Sequence, residues 1–110
     1  MKVDFETKKL AATCADDRAL RKQFGADGQR QIRKRLDDLE AAPNAMFLRK
    51  LPGRFEEKKA DLKGSMAVHV HGGHRIIFRP AADPPPRKPD GGLDLLAVDA
   101  VIIEDIRDYH

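Results

Sequence analysis

The sequence predicts an α+β fold in which an N-terminal strand and two or three helices pack on one face of a mainly antiparallel sheet. Three observations lead to this prediction. A short stretch with alternating apolar residues, 1–5, opens the chain. Helix formers with apolar positions at helical spacing follow from 7 to 42, and β-prone runs fill much of the remainder. Helices grouped before strands are typical of α+β layers, with the far face of the sheet left as a shallow groove.

The helical half divides at two points. Asp16 or Asp17 can cap a new helical start, so we expect Thr13–Asp17 to interrupt the first helix. Gly25 is a natural C-terminal stop. The clearest helix is Ala26–Ala42. Its apolar residues recur at intervals of four and three and form one stripe: Ile32, Leu36 and Leu39.

The strongest strand signal is a hairpin over 65–80. Apolar residues alternate with others from 66 to 71, which is the pattern of a half-buried strand. Gly72-Gly73 supplies the positive φ angles of a primed two-residue turn, and a second β-prone run ends at Pro80. Any chemistry should be sought near this turn, because three histidines and Arg75 lie on or beside it.

The segments around the hairpin complete the sheet. Arg54–Asp61 is charged and is predicted as an edge strand, since Lys and Glu protect an edge from unwanted pairing. Ala81–Gly92 is rich in Pro and Gly and is predicted as a mobile loop. Leu93–Ile106 is predicted as a long, mostly buried strand.

Composition limits the class of protein. At 110 residues, we expect one domain spanning 1–110. The net charge of +3 permits a nucleic-acid partner without requiring one. Cys14 is the single cysteine, which excludes an internal disulfide and fits a reducing cytoplasm. No apolar stretch approaches the roughly 20 residues of a membrane span, so the expectation is a soluble cytoplasmic protein without a membrane partner.

Several stretches occur together in a characteristic order. They are Met1–Phe5, Arg33–Glu40, Leu48–Gly53, Arg54-Phe55, Lys59, Asp61, Lys63-Gly64, His74–Phe78, the Pro-rich loop and Asp108-Tyr109-His110. With this combination the chain resembles the killer-protein toxins of the RelE/ParE superfamily, in particular the HigB branch of bacterial toxin–antitoxin pairs. Three positions depart from the family pattern: Glu56 stands where a His is common, His74 where Tyr is usual, and Met66 where Trp is usual.

The resemblance implies a microbial-RNase-like fold and an endoribonuclease that cleaves mRNA on the ribosome. It also implies that no metal or other cofactor is used, and that a cognate helix-turn-helix antitoxin of the HigA type silences the toxin. Metal-free RNA cleavage needs a base for the 2′-hydroxyl, cations for the phosphorane and an acid for the leaving oxygen.

The residues expected to meet these needs are taken from the matching positions. Lys59, Arg75 and His110 form the expected working core, with Glu56 and Asp108 in support. Glu56 can replace the family histidine as base if burial raises its pKa. Tyr109 can stack on a base. Three further cations are expected to bind RNA: Arg54, Lys63 and Arg79.

Other readings stay open. A two-residue turn at Gly72-Gly73 would make His71 and His74 face each other with His69 on the same side, and three imidazoles there could hold zinc or nickel. No cysteine near them completes such a site, and the family needs no metal. The departure at Glu56 leaves room for a toxin that inhibits DNA gyrase by binding, as the ParE branch does, or for an inactive module that only binds its antitoxin.

Overall fold

The computed structural model describes residues 1–58 and 63–108, and they form the α+β architecture that the sequence predicts. The helices and strands are β1 (Lys2–Phe5), α1 (Lys8–Ala15), α2 (Asp17–Ala41), β2 (Glu56–Glu57), β3 (Met66–His69), β4 (His74–Pro80) and β5 (Ala100–Asp108). Two short 3₁₀ helices lie at Ala45–Lys50 and Leu95–Ala97.

The five strands form one sheet in the order β1-β5-β4-β3-β2. β1 pairs in parallel with β5, and the other neighbours are antiparallel, as predicted. β1 and β2 are therefore the two edge strands, and β4 lies at the centre of the sheet.

Local side chains set the helix boundaries. Thr7 accepts a hydrogen bond from the backbone of Leu10 at the start of α1. Asp16 ends α1 and caps α2, accepting from the backbone of Arg18 at 2.9 Å, so the predicted interruption is confirmed. At Gly25 φ is +79°, and the helical geometry is broken there inside α2. The glycine can adopt this left-handed φ without a Cβ clash, which explains why the break falls at Gly25.

The core lies between the helices and one face of the sheet. The predicted stripe of α2, Ile32, Leu36 and Leu39, is buried there. The inward side chains of the strands meet it: Met66, Val68, Ile76, Phe78, Val101, Ile103 and Ile106. Cys14 of α1 belongs to the same core, and burial raises the pKa of its thiol to about 11, partly offset by the nearby Arg33. A buried aliphatic and aromatic core of this kind supplies most of the stability.

The hairpin has a different turn from the predicted one. Val68 pairs with Ile76 and His69 with Arg75, which places Val70 opposite His74 and leaves a three-residue connection from His71 to Gly73. The backbone confirms this register, because the Val70 N–H donates to the His74 carbonyl at 3.0 Å. The prediction of a Gly72-Gly73 two-residue turn was wrong by one residue. Since side chains alternate along a strand, this shift changes which residues share a face.

The other strand predictions need adjustment. In the described part of Arg54–Asp61, only Glu56–Glu57 is a strand, and it is the edge strand expected. The last strand begins at Ala100 rather than near Leu93, because Leu95–Ala97 forms a 3₁₀ turn first. The Pro-rich segment is a loop, as predicted, and an antiparallel bridge joins Arg87 to Leu93 near its end.

A β-bulge in β5 interrupts the alternation of buried and exposed residues. Ile77 pairs with Asp105 but Phe78 pairs with Ile103, so Glu104 is the extra residue. A bulge lets two successive side chains emerge on the same side of a sheet. Glu104 and Asp105 are accordingly both partly exposed, between the buried Ile103 and Ile106.

Within residues 1–58 and 63–108, the structure contains no helix long and apolar enough to cross a membrane.

Candidate active site

The face of the sheet turned away from the helices carries most of the ionisable side chains of the central strands. Two neighbouring rows cross it: Glu56, Ala67, Ile77 and Asp105 in one, and His69, Arg75 and Arg107 in the other. Arg79 follows Ile77 on the same side of β4. We call this surface the charged face and define it by Glu56, His69, Arg75, Arg79, Asp105 and Arg107.

Three side chains converge in the part of the charged face nearest β2. Nη1 of Arg75 lies 3.2 Å from Oε1 of Glu56, and Nε2 of His69 lies 3.6 Å from the same oxygen. The side chains are 29% exposed for Arg75, 43% for Glu56 and 24% for His69, so each is partly shielded yet reachable from solvent. A cation, a carboxylate and an imidazole thus meet around one oxygen atom.

The sheet fixes this cluster through its backbone. His69 and Arg75 are cross-strand partners in the hairpin, and Glu56 is held by the pairing of β2 with Ala67. Ala67 and Ile77 are buried at the centre of the face, with at most 2% of their surface exposed. Groups built on strands are placed more reproducibly than groups on loops, which is what a catalytic arrangement requires.

The cluster has the groups that general acid–base chemistry needs. A carboxylate can accept a proton, and an imidazole can donate or accept one near neutral pH. A guanidinium can form two parallel hydrogen bonds to a phosphate, so Arg75 can hold a phosphodiester against the other two groups. The Arg75–Glu56 contact must open or rotate to admit that phosphate.

A second group of charges lies farther along the face. Nη1 of Arg79 contacts the carboxylate of Glu6 and lies 3.5 Å from Oε2 of Glu104. Oγ of the buried Ser65 donates to Oε1 of Glu104 at 2.7 Å. Arg79 is thus ion-paired with two carboxylates inside the chain. It also lines, with Lys63, a cavity of about 400 Å³ bounded by the start of the Pro-rich loop.

The expected site residues are distributed unequally. The structure brings Arg75 and Glu56 together, as expected. Asp108 does not join them, because it pairs with His74 and shares that residue's side of the sheet, which is the helix side. Arg54 is exposed in the turn before β2, with a φ of +49°. Lys59, Tyr109 and His110 lie outside the described residues, and their roles stay predictions.

The proposed triple-histidine site is contradicted by the hairpin register. His69 lies on the charged face, whereas His74 lies on the helix side, with its ring 5.3 Å from that of Phe24 in an edge-on contact. His71 is exposed in the turn between them. Their side chains do not converge, and the residues that the structure describes contain no group of three metal-ligating side chains.

His69 is the member of the cluster that sequence reasoning assigned to the wrong chemistry. The period-two pattern of β3 places it on the opposite face from Val68, which is the signal that separates it from the core. His69 lies beside Arg75 only because the turn has three residues. The Gly72-Gly73 pair instead predicts a two-residue turn, in which His69 and Arg75 would not be partners.

No protein-family model matches the chain, and comparisons with curated proteins and with solved structures gave no significant match.

Proposed function

We propose that this protein is the toxin of a type II toxin–antitoxin pair and acts as a metal-independent endoribonuclease on mRNA at the ribosome, in the cytoplasm. The observation that carries the proposal is the convergence of Glu56, His69 and Arg75 on the charged face. The sequence resemblance to the RelE/ParE toxins supports it, as does the arrangement of a strand and helices against a mainly antiparallel sheet.

In the proposed reaction, the Arg75 guanidinium binds the scissile phosphate and balances the charge that develops on its oxygens. Glu56 removes the proton of the 2′-hydroxyl, whose oxygen attacks phosphorus. The bond from phosphorus to the 5′-oxygen breaks, and His69 donates a proton to that leaving oxygen. The products are a 2′,3′-cyclic phosphate and a free 5′-hydroxyl. Lys59 and His110 are proposed to contribute a further cation and a further proton carrier.

In this mechanism Glu56, which stands where the family commonly has His, has a catalytic role. A carboxylate in place of the family histidine can accept a proton, and His69 restores an imidazole to the same cluster, with 3.6 Å between Nε2 and the Glu56 oxygen. The pair therefore divides the base and acid roles between two residue types.

Primer extension on cellular mRNA after brief induction tests the proposal. We expect discrete new ends within translated regions for the wild type, and a loss of about a hundredfold or more in Arg75→Ala, since removing one such electrostatic contact commonly costs that much. Arg107→Ala is the matched control, because Arg107 is the strand partner of Arg75 on the same face and pairs with Asp105 at 3.2 Å. It should retain most of the cleavage.

Equal loss in Arg75→Ala and Arg107→Ala would contradict the assignment, because it would show that the overall positive charge matters rather than the position of Arg75. Growth arrest with intact mRNA would reject the nuclease and favour gyrase inhibition. Expression without arrest would favour a module that only binds its antitoxin.

A further inference from the structure

A second concave surface lies on the other side of β2 from the charged face. It is a cavity of about 500 Å³ between the first 3₁₀ helix, the end of β2 and the Pro-rich loop. Its volume is within the range of small-molecule sites, about 300 to 1,000 Å³. Four cations line it, Arg49, Lys58, Arg87 and Lys88, against two carboxylates, Glu57 and Asp94.

The wall that carries Arg87 and Lys88 is a folded hairpin. The Lys88 N–H donates to the Gly92 carbonyl at 2.7 Å, and the Asp94 N–H donates to the Pro86 carbonyl at 2.9 Å. The buried Leu93 belongs to the hydrophobic core and lies against Gly64, so it anchors this hairpin to the rest of the domain. The two cations are therefore presented by an ordered segment, which lowers the entropic cost of ordering them around a ligand.

The opposite wall is also built from ordered elements. Arg49 belongs to the 3₁₀ helix and pairs with Glu57 of β2 at 3.1 Å. Leu96, which is 65% exposed, and Met46 also line the cavity, so it offers apolar surface as well as charge.

This mixture matches single-stranded RNA better than an acidic peptide. Guanidinium and ammonium groups on both walls fit backbone phosphates. Glu57 and Asp94 repel acidic side chains and phosphates alike, but they can accept hydrogen bonds from the amino groups of unpaired bases, which the side chains of an acidic peptide do not carry. Apolar and guanidinium surfaces give a base something to stack on.

We propose that this cavity is a second binding site for single-stranded RNA, distinct from the Glu56–Arg75 cluster. Glu56 and Glu57 are successive residues of the edge strand β2, and their side chains point to opposite sides of the sheet. An RNA chain with one phosphate bound by Arg75 would reach the cavity by passing around the edge of the sheet at β2. The proposal rests on the proposed function only in naming RNA as the natural ligand.

Fluorescence anisotropy tests it with the full chain and a labelled, 2′-O-methylated single-stranded RNA, which cannot be cleaved because its nucleophile is blocked. We expect Arg87→Ala/Lys88→Ala to weaken binding about tenfold or more at low salt, and to reduce the slope of log affinity against log salt by about 1 to 2. Arg49→Gln should weaken binding from the opposite wall.

Two matched variants serve as controls, the first for a general loss of positive charge and the second for damage to the hairpin. Arg18→Ala/Lys22→Ala removes two exposed cations from α2 and should leave affinity and salt slope nearly unchanged. Arg87→Lys/Lys88→Arg keeps both charges on the hairpin and should bind within about threefold of the wild type, since the backbone contribution is mainly electrostatic.

A loss in Arg87→Ala/Lys88→Ala no greater than in the α2 control would overturn the proposal. So would displacement of the RNA by an oligoglutamate more readily than by unlabelled RNA, which would assign the cavity to an acidic protein segment. Because the readout is binding, the proposal survives a wild type that produces no new mRNA ends, and its failure leaves the cleavage result untouched.

Discussion

The two faces of the sheet are built from the same strands but differ in chemistry. On the helix side, Met66, Val68 and Phe78 are almost completely buried under α1 and α2. On the charged face, Glu56, His69 and Arg75 are ionisable and partly exposed. Strand alternation lets one segment serve both purposes. The helix side stabilises the fold, and the charged face can carry function without weakening the core.

The largest expected loss of stability comes from a substitution on the helix side, and it can be compared with a substitution on the charged face of the same strand. Phe78→Ala should lower the free energy of unfolding by about 3 to 5 kcal/mol, because it removes a fully buried ring and leaves a cavity. Arg75→Ala, three residues earlier on the same strand, should cost about 1 kcal/mol or less, since its ion pair is partly hydrated. Urea unfolding followed by circular dichroism measures both. Similar losses in the two variants would mean that the charged face is also part of the structural core.

The second prediction concerns a titratable group on the helix side. Burial raises the pKa of the Cys14 thiol from 9.0 to about 11. Between these values the unfolded chain loses the thiol proton while the folded chain retains it, so stability falls as pH rises. From pH 9 to 11 the thiol should reduce the unfolding free energy by roughly 2 to 3 kcal/mol.

Cys14→Ala is the control for this pH dependence, because lysine and tyrosine titration is common to both proteins. The difference in unfolding free energy between wild type and variant should change across pH 9 to 11 and be flat below it. A constant difference over the whole range would show that the thiolate is tolerated in the core.

The two faces also differ in how far the sequence could predict them. The buried residues of the helix side could be predicted because they repeat at helical or strand spacing, as in the stripe of Ile32, Leu36 and Leu39. The charged face depends on register. Pairing His69 with Arg75 follows from a three-residue turn, and the coupling of Glu104 to Ser65 follows from the bulge in β5. One extra residue, in the turn or in β5, changes the cross-strand partners of its neighbours without changing composition, so the sequence pattern does not fix which residues pair.

The third prediction tests that register through the turn glycines. Of Gly72-Gly73, it is Gly72 that has a positive φ, +68°. A two-residue turn of type I′ would require positive φ at both glycines, and one of type II′ only at the first. Gly72→Ala should therefore lower the unfolding free energy by about 1 to 2 kcal/mol, with less effect from Gly73→Ala. The nearest contact for a Cβ at Gly72 is an ordinary 3.7 Å from His74 Nδ1, so the cost comes from the backbone. Equal costs would favour a two-residue turn of type I′ instead.

The smallest expected effect distinguishes the two charge groups of the charged face from each other. Arg79 pairs with Glu104, and both side chains are only about one-fifth exposed, at 19% and 21%. In a double-mutant cycle with Arg79→Gln and Glu104→Gln, we expect a coupling energy of about 1 kcal/mol or less in unfolding. The same two variants should leave mRNA cleavage nearly unchanged if Arg79 is structural. Loss of cleavage in Arg79→Gln at unchanged stability would instead give Arg79 the RNA-binding role expected from the sequence, and would extend the candidate site from Arg75 along the whole length of β4.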